Sequence, residues 1–206
     1  ETAQSTALML ASTDRMVRQA NQLLALARSE PGGFERQRLD SVALDQLVSE
    51  SVQQFVQEAS KKDIDIGFDL QPAIVLGDRF LLRDLIDNLV DNAIRYTPAG
   101  GEVTVSCGIE EGQGVLRVVD NGPGIPDSER EKIFTRFYRL DQTQSGSGLG
   151  LAIVRDIAID HSAKVELTSH PTKAGTVFQV FFPPVVEALG LSRHWQGRSH
   201  TSEISV

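Results

Sequence analysis

Apolar residues recur along the chain with two different periods, and the changes of period mark the elements. Leu8, Met9, Ala11, Met16, Val17, Ala20, Leu23, Leu24 and Ala27 follow a rhythm of about 3.6 residues, which predicts a helix over residues 7–28. Asp14, Arg15, Arg18, Gln19 and Gln22 take its polar side, and Ser29 to Gly33, with Pro31 inside it, ends it. One helix cannot bury such a stripe alone. Its expected partner is another helix, in a missing part of the protein or on a second chain; packing onto its own domain is the other option.

Leu44, Leu47, Val48, Ser51, Phe55, Val56 and Ala59 predict a second amphipathic helix, running to about Lys62. Ile64, Ile66, Phe68 and Leu70 then alternate with Asp63, Asp65, Gly67 and Asp69, the pattern of a half-buried strand. A short strand follows over Ala73 to Leu76. Asp78 is placed to cap a helix that ends before Pro98. Alternation at Val103, Val105, Cys107 and Ile109, a turn over Glu110 to Gly114, and a return over Val115 to Val119 predict a hairpin. Ser128 and Glu131 have the spacing of a capping box ahead of Ile133 and Phe134. A helix over Leu151 to His161 and strands over Lys164 to Ser169 and Thr176 to Phe182 complete the pattern. From Pro183 the periodicity is lost, and a mostly disordered tail is expected. Hairpins with helices between some of them predict an α+β, two-layer α/β sandwich, with a mostly antiparallel sheet and helices on one face. The expected divisions are 1–33, 34–183 and 184–206.

Composition narrows the function. With 40% hydrophobic and 23% charged residues, the chain has the material for a core. Twenty Lys and Arg against 28 Asp and Glu leave a net charge of −8, a poor balance for gripping phosphate backbones, so no direct nucleic-acid binding is expected. Cys107 is the single cysteine and forms no internal disulfide, which fits a reducing compartment. No stretch of about 18 apolar residues is present to span a membrane. The start at Glu1 rather than Met reads as a boundary inside a longer protein.

Three segments carry chemistry. In Asp84 to Tyr96 the apolar residues Leu85, Ile86, Leu89, Val90, Ala93 and Ile94 define a buried face, and Asn88, Asn92 and Arg95 share the opposite one. An amide oxygen can ligate Mg²⁺, and a guanidinium can hold phosphate; a merely solvated helix face has the same composition. Asp120 ends an apolar strand and opens Asn-Gly-Pro-Gly-Ile-Pro, where a carboxylate could accept from the adenine N6 amine, although an Asx turn uses the same residues. Gly146, Gly148 and Gly150 lead into a helix whose N-terminal N–H groups could cradle phosphate. Their spacing is that of neither a dinucleotide fingerprint nor a Walker loop. Phe134 and Phe137 precede the polar stretch Leu140 to Ser147, which is expected to be a mobile lid or, more plainly, to follow a helix end with core phenylalanines.

Taken in order, Asn88 and Asn92, Asp120 to Gly124, Phe134-x-x-Phe137, and Gly146-x-Gly148-x-Gly150 resemble the N, G1, F and G2 boxes of bacterial sensor histidine kinases. These share an ATPase/kinase superfamily with DNA gyrase, mismatch-repair and chaperone ATPases. The resemblance covers about residues 39–183, through DNAIRYTP, VVDNGPGIP, RFYR and GSGLGLAIV. STDRMVRQANQLLALAR similarly resembles the second helix of the dimerisation and phosphotransfer hairpin.

The resemblance implies a catalytic ATP-binding domain using ATP and Mg²⁺. Asn92 would hold Mg²⁺, Asn88 would sit near the phosphates, Arg95 would bind phosphate, and Tyr96 would lie beside the nucleotide. Asp120 would read adenine, and Gly122 and Gly124 would shape its pocket. Arg139 would steady the γ-phosphate, and Gly146, Gly148 and Gly150 would cradle phosphates. Ile125, Phe137, Ser147 and Leu149 fall in the same nucleotide-binding stretches. The implied catalytic positions are Asn88, Arg95 and Arg139. The implied partners are a phosphoacceptor histidine, a response-regulator receiver domain and a second copy in a homodimer. The domain would be cytoplasmic, within a protein of the bacterial inner membrane.

Three departures stand out. His161, His170, His194 and His200 all lack the acceptor's sequence context, so the chain is expected to begin after the acceptor. His161-Ser162-Ala163 replaces a usual His-Gly-Gly, which puts the turn geometry there in question. The tail holds Trp195, Arg193 and Arg198, either a docking peptide or a loose end. Two other activities stay open, a gyrase-like ATPase switch and a nucleotide-binding module that controls phosphatase output. Asn88 stands where the former places a glutamate base, and an amide does not accept a proton from water. An anti-sigma-type serine kinase is disfavoured by the hairpin-like helix at Asp14 to Arg28.

Overall fold

The alternating segments assemble around the 102–120 hairpin, which supplies the centre of the sheet. The computed structural model describes residues 39–140 and 147–185. Its elements are β1 (Asp40–Ala43), α1 (Leu44–Val52), α2 (Val56–Lys61), β2 (Asp65–Leu70), β3 (Ile74–Gly77), α3 (Arg79–Tyr96), β4 (Glu102–Glu110), β5 (Gln113–Asp120), α4 (Gly150–Asp160), β6 (Lys164–Ser169) and β7 (Thr176–Phe182). The main sheet runs β2-β4-β5-β7-β6. Its pairings are antiparallel except β2 with β4, which is parallel.

Register sorts the two faces. Val105, Val118 and Phe178 stand in line across the three central strands, as do Cys107, Leu116 and Val180, and all are buried. They meet Leu44, Leu47 and Val48 of α1, the apolar side of α3, and Ile153, Val154 and Ile157 of α4 in one core. The other face carries Thr104, Ser106, Arg117, Gln179 and Glu166, with Arg117 paired to Glu110. This is the expected two-layer α+β sandwich.

Three local expectations change. The helix expected over 44–62 is two helices, broken at residues 53–55. In one continuous helix Val52 and Val56 would share a face; the break buries Val52 and Phe55 and turns Val56 outward, 45% exposed. The Ser128–Glu131 capping box does not form. Asp127–Glu129 and Lys132–Phe134 are separate 3₁₀ turns without side-chain caps, and Ser128 Oγ turns to Glu129. Strand β1 was not expected, and it pairs antiparallel with β3 in a second, two-stranded sheet. The expected N-terminal helix and the residues beyond 185 lie outside the described residues.

Asp78 caps α3 as its position predicts, Oδ1 accepting from the N–H of Phe80 at 2.7 Å and of Leu81 at 3.1 Å. At the far end of α4, buried His161 joins two helices. Its Nε2 accepts from Asp78 N–H at 3.0 Å, so Nδ1 carries the proton and donates to the Ile157 carbonyl at 2.8 Å. A Cβ on Gly77 would lie 2.6 Å from this ring, so the close approach needs glycine there. The turn survives without the usual glycines. Ser162 takes φ +51°, its N–H bonds Ile159 O at 3.0 Å, and Ala163 N–H bonds Ala158 O at 2.8 Å, a Schellman closure.

A serine in the left-handed region is strained where glycine is not. Ser162→Gly is expected to stabilise the chain by about 1 kcal/mol, read as a higher urea midpoint at unchanged slope.

Candidate functional site

Helix α3 divides its surface as the sequence predicts. Leu81, Leu82, Leu85, Ile86, Leu89, Val90, Ala93 and Ile94 are buried, while Asn88, Asn92, Arg95 and Tyr96 stay half-buried beside the core. The Asn88 amide N–H donates to Asp84 O at 2.7 Å. Its Oδ1 faces the start of α4, where a Cβ on Gly150 would lie 2.9 Å away. The glycine lets the N-terminus of α4 approach the asparagine face. Among the described residues no side chain caps that N-terminus, and first-turn N–H groups of a helix suit an anion. Arg95 pairs with Asp91, Nη2 to Oδ2 at 2.6 Å.

Asp120 ends β5 at 5% exposure. Oδ1 accepts from Gly122 N–H at 2.9 Å, which closes the Asx turn that is the alternative reading of these residues. Thr176 contributes a backbone and a side-chain hydrogen bond to the same carboxylate. Burial nevertheless outweighs these bonds and pushes the carboxyl above its ordinary value. The loop is tightly seated. A Cβ on Gly122 would lie 3.0 Å from Tyr96 O, and one on Gly175 would lie 2.0 Å from Asp120 O. Gly124 has φ +77°, and Ile125 packs against the core. Asn121 is spent on the fold, its Oδ1 accepting from Glu102 N–H at 2.8 Å.

Thr176 is the residue the sequence reading missed. It sits 56 positions from Asp120, and only the β5–β7 register sets the two opposite each other. The expectation of a strand over 176–182 was the available signal, without the pairing needed to use it.

The phenylalanine and glycine boxes meet directly. Phe134 packs edge-on against Phe178, ring centroids 6.4 Å apart. Phe137 is 69% exposed with φ +67°, and its N–H donates to Gly148 O at 2.8 Å. Gly148 has φ +71°, and a Cβ there would lie 2.7 Å from the Phe137 carbonyl carbon. These contacts hold the backbone of Phe137 against that of Gly148. Leu149 is buried, and its N–H reaches Ser147 Oγ at 3.3 Å. Tyr138 OH donates to Glu129, and Arg139 is half-buried beside this cluster in sequence. Gly146 and most of the expected lid, residues 141–146, lie outside the described residues.

Residues 77–186 match the family described as Histidine kinase-, DNA gyrase B-, and HSP90-like ATPase. The chain belongs to this ATPase family. Among curated relatives, the sensor protein kinase PmrB of Pseudomonas aeruginosa is 38% identical over 84% of this chain. The chain spans only 36% of that relative's length. Among solved structures, the mycobacterial sensor histidine kinase MprB is 32% identical with a TM-score of 0.64, covering 70% of this chain and 97% of that one. The histidine kinase ThkA, solved in complex with the response regulator protein TrrA, is 26% identical with a TM-score of 0.68, covering 85% of this chain and 50% of that one. The relatives of this ATPase domain are thus sensor histidine kinases. Among the described residues, no helix is long and apolar enough to cross a membrane.

The raised Asp120 carboxyl has a measurable consequence. The unfolded chain ionises near 3.8, the folded chain only at a higher pH. Between those values the folded state holds the extra proton, so this group's contribution to stability falls as pH rises through the window. Urea unfolding of the parent and of Asp120→Asn across mildly acidic pH should show the parent losing stability relative to the variant over that interval.

Proposed function

We propose that this chain is the catalytic ATP-binding domain of a sensor histidine kinase, binding Mg-ATP and passing the γ-phosphoryl group to a histidine imidazole for relay to a response regulator. The observation that carries this reading is the buried acceptor Asp120 at one end of a strip of site groups, with the Asn88/Asn92/Arg95 face and the uncapped α4 N-terminus forming the rest. Asp120 accepts from adenine N6, where guanine presents an acceptor instead. Thr176 supports the carboxylate from the facing strand. The triphosphate then lies along α3 toward the first turn of α4, with Arg95 and Arg139 near its oxygens.

The donor set fits Mg²⁺ bound through its nucleotide. The described residues hold no cluster of three His, Cys, Asp or Glu that could cage an ion, and Mg²⁺ characteristically takes few protein ligands besides phosphate oxygens and water. The Asn92 amide oxygen is the protein ligand in this reading. The bound ion supplies charge neutralisation for phosphoryl transfer. The chain's own part is positioning. Asn88 cannot deprotonate water, which favours an imidazole acceptor over hydrolysis.

The acceptor is proposed to lie outside the four histidines of this chain. His161 is buried with both ring nitrogens engaged, and His170 Nδ1 accepts from the N–H of Thr172 and Lys173. The whole protein is proposed to be a homodimer of the bacterial inner membrane with this domain in the cytoplasm.

Calorimetry is expected to give one Mg-dependent ATP per chain and a clear preference over GTP. Asp120→Asn should weaken ATP binding by roughly 10- to 100-fold, since its amide N–H₂ confronts the N6 donor. Supplied with the acceptor hairpin of its full-length protein, the chain should place acid-labile phosphate there and none on its own histidines. Equal affinity for ATP and GTP would remove the adenine role of Asp120.

A further inference from the structure

Arg95 forms an ion pair along its own helix. Its Nη2 lies 2.6 Å from Asp91 Oδ2, one turn back on α3. Side chains on a helix lean toward its N-terminus, so Arg95 passes Asp91 on its way to the face shared by Asn88 and Asn92. The backbone beneath it is pinned from another element. Lys62, just beyond α2, donates from Nζ to the carbonyls of Ile94 at 2.9 Å and Arg95 at 2.7 Å. Pinning the main chain leaves the guanidinium arm as the part that relocates. Lys62 also sets a second cation near Arg95: burial, then the Arg95 charge, hold its ammonium below the ordinary lysine value. The Lys62 ammonium repels the guanidinium and the Asp91 carboxylate attracts it, which favours the Asp91 position.

The pair is built to be exchanged. Side-chain exposure is 29% for Arg95 and 35% for Asp91, between a buried pair that resists breaking and a surface pair that contributes little. A triphosphate offers the guanidinium more charge and a bidentate oxygen pair. Its arrival also sets the Asp91 carboxylate beside like charge.

We propose that Asp91 is a latch on the phosphate arm of the site, holding Arg95 in the nucleotide-free chain, yielding it to bound ATP, and so lowering the affinity for phosphate-bearing nucleotides. This deepens the Mg-ATP reading above and rests on it. The latch acts on the triphosphate end, not on adenine.

Titration calorimetry on the 206-residue chain tests it. Asp91→Asn keeps the side-chain shape and removes the charge, and it is expected to bind Mg-ATP about three- to tenfold more tightly, with adenosine affinity unchanged. In an Arg95→Gln background the same substitution should lose most of that gain. A second readout is the Arg95 Nε–H resonance. ATP should move it in the parent, and Asp91→Asn should move it with no nucleotide present. Unchanged or weaker ATP binding by Asp91→Asn overturns the latch, as does an equal gain without Arg95, which is plain charge repulsion. If Arg95→Gln leaves no measurable binding, the resonance decides, and a free-state position identical to the parent's overturns it. Failure of the parent to bind Mg-ATP overturns the nucleotide reading itself; binding without the gain overturns the latch alone.

Discussion

Burial of the apolar stripe of α3 fixes that helix's rotation about its own axis, and the candidate site inherits its geometry from that rotation. With eight side chains from Leu81 to Ile94 buried, Asn88, Asn92 and Arg95 have one side left to them. A turn of the helix about its axis would bury amides without partners and expose leucines, and both changes are costly. The two ends of the helix are secured separately. Asp78 and His161 hold the start, and Lys62 holds the last carbonyls. Positioning of the polar face is thus a consequence of core packing together with three polar anchors.

Asp120 is held on different terms. Its carboxylate is buried in the fold at a cost that its hydrogen bonds only partly offset. The surrounding structure tolerates this because glycines let main chain approach where a side chain would collide. Gly122 lies against the end of α3, and Gly175 against the carbonyl of Asp120 itself. Phe137, exposed and in the left-handed region, is a second strained feature. Both belong to segments whose sequence resembles the G1 and F boxes, and groups held at a cost to stability are concentrated at functional sites.

His161 and Ser162 show how a left-handed helix end can close without glycine. The Schellman bonds are made by backbone atoms and are indifferent to side-chain identity. The serine carries left-handed strain instead, and the imidazole bridging α4 to Asp78 N–H helps to hold the turn in place.

Much of the domain was legible in the chain by itself. The strands at 65–70, 102–110, 113–120, 164–169 and 176–182, the capped helix α3 and the division of its faces all follow from local period and local capping, which depend on neighbours a few residues away. The strings that resemble the family's boxes stand out for the same reason, since each is short and contiguous. What needed the tertiary structure was every relation across distance. The pairing of β1 with β3, the parallel partnership of β2 with β4, and the apposition of Thr176 to Asp120 are choices among strands with similar patterns. The break after Val52 arises because the core accepts Val52 and Phe55 from one segment while Val56 faces outward, a demand that periodicity does not express. The grip of Lys62 on the end of α3 spans more than thirty residues, and the pairing of Arg95 with Asp91 is one of several rotamers open to a long side chain. Local pattern states which side of an element is apolar; only the assembled packing decides what that side meets and where the polar groups are left to point.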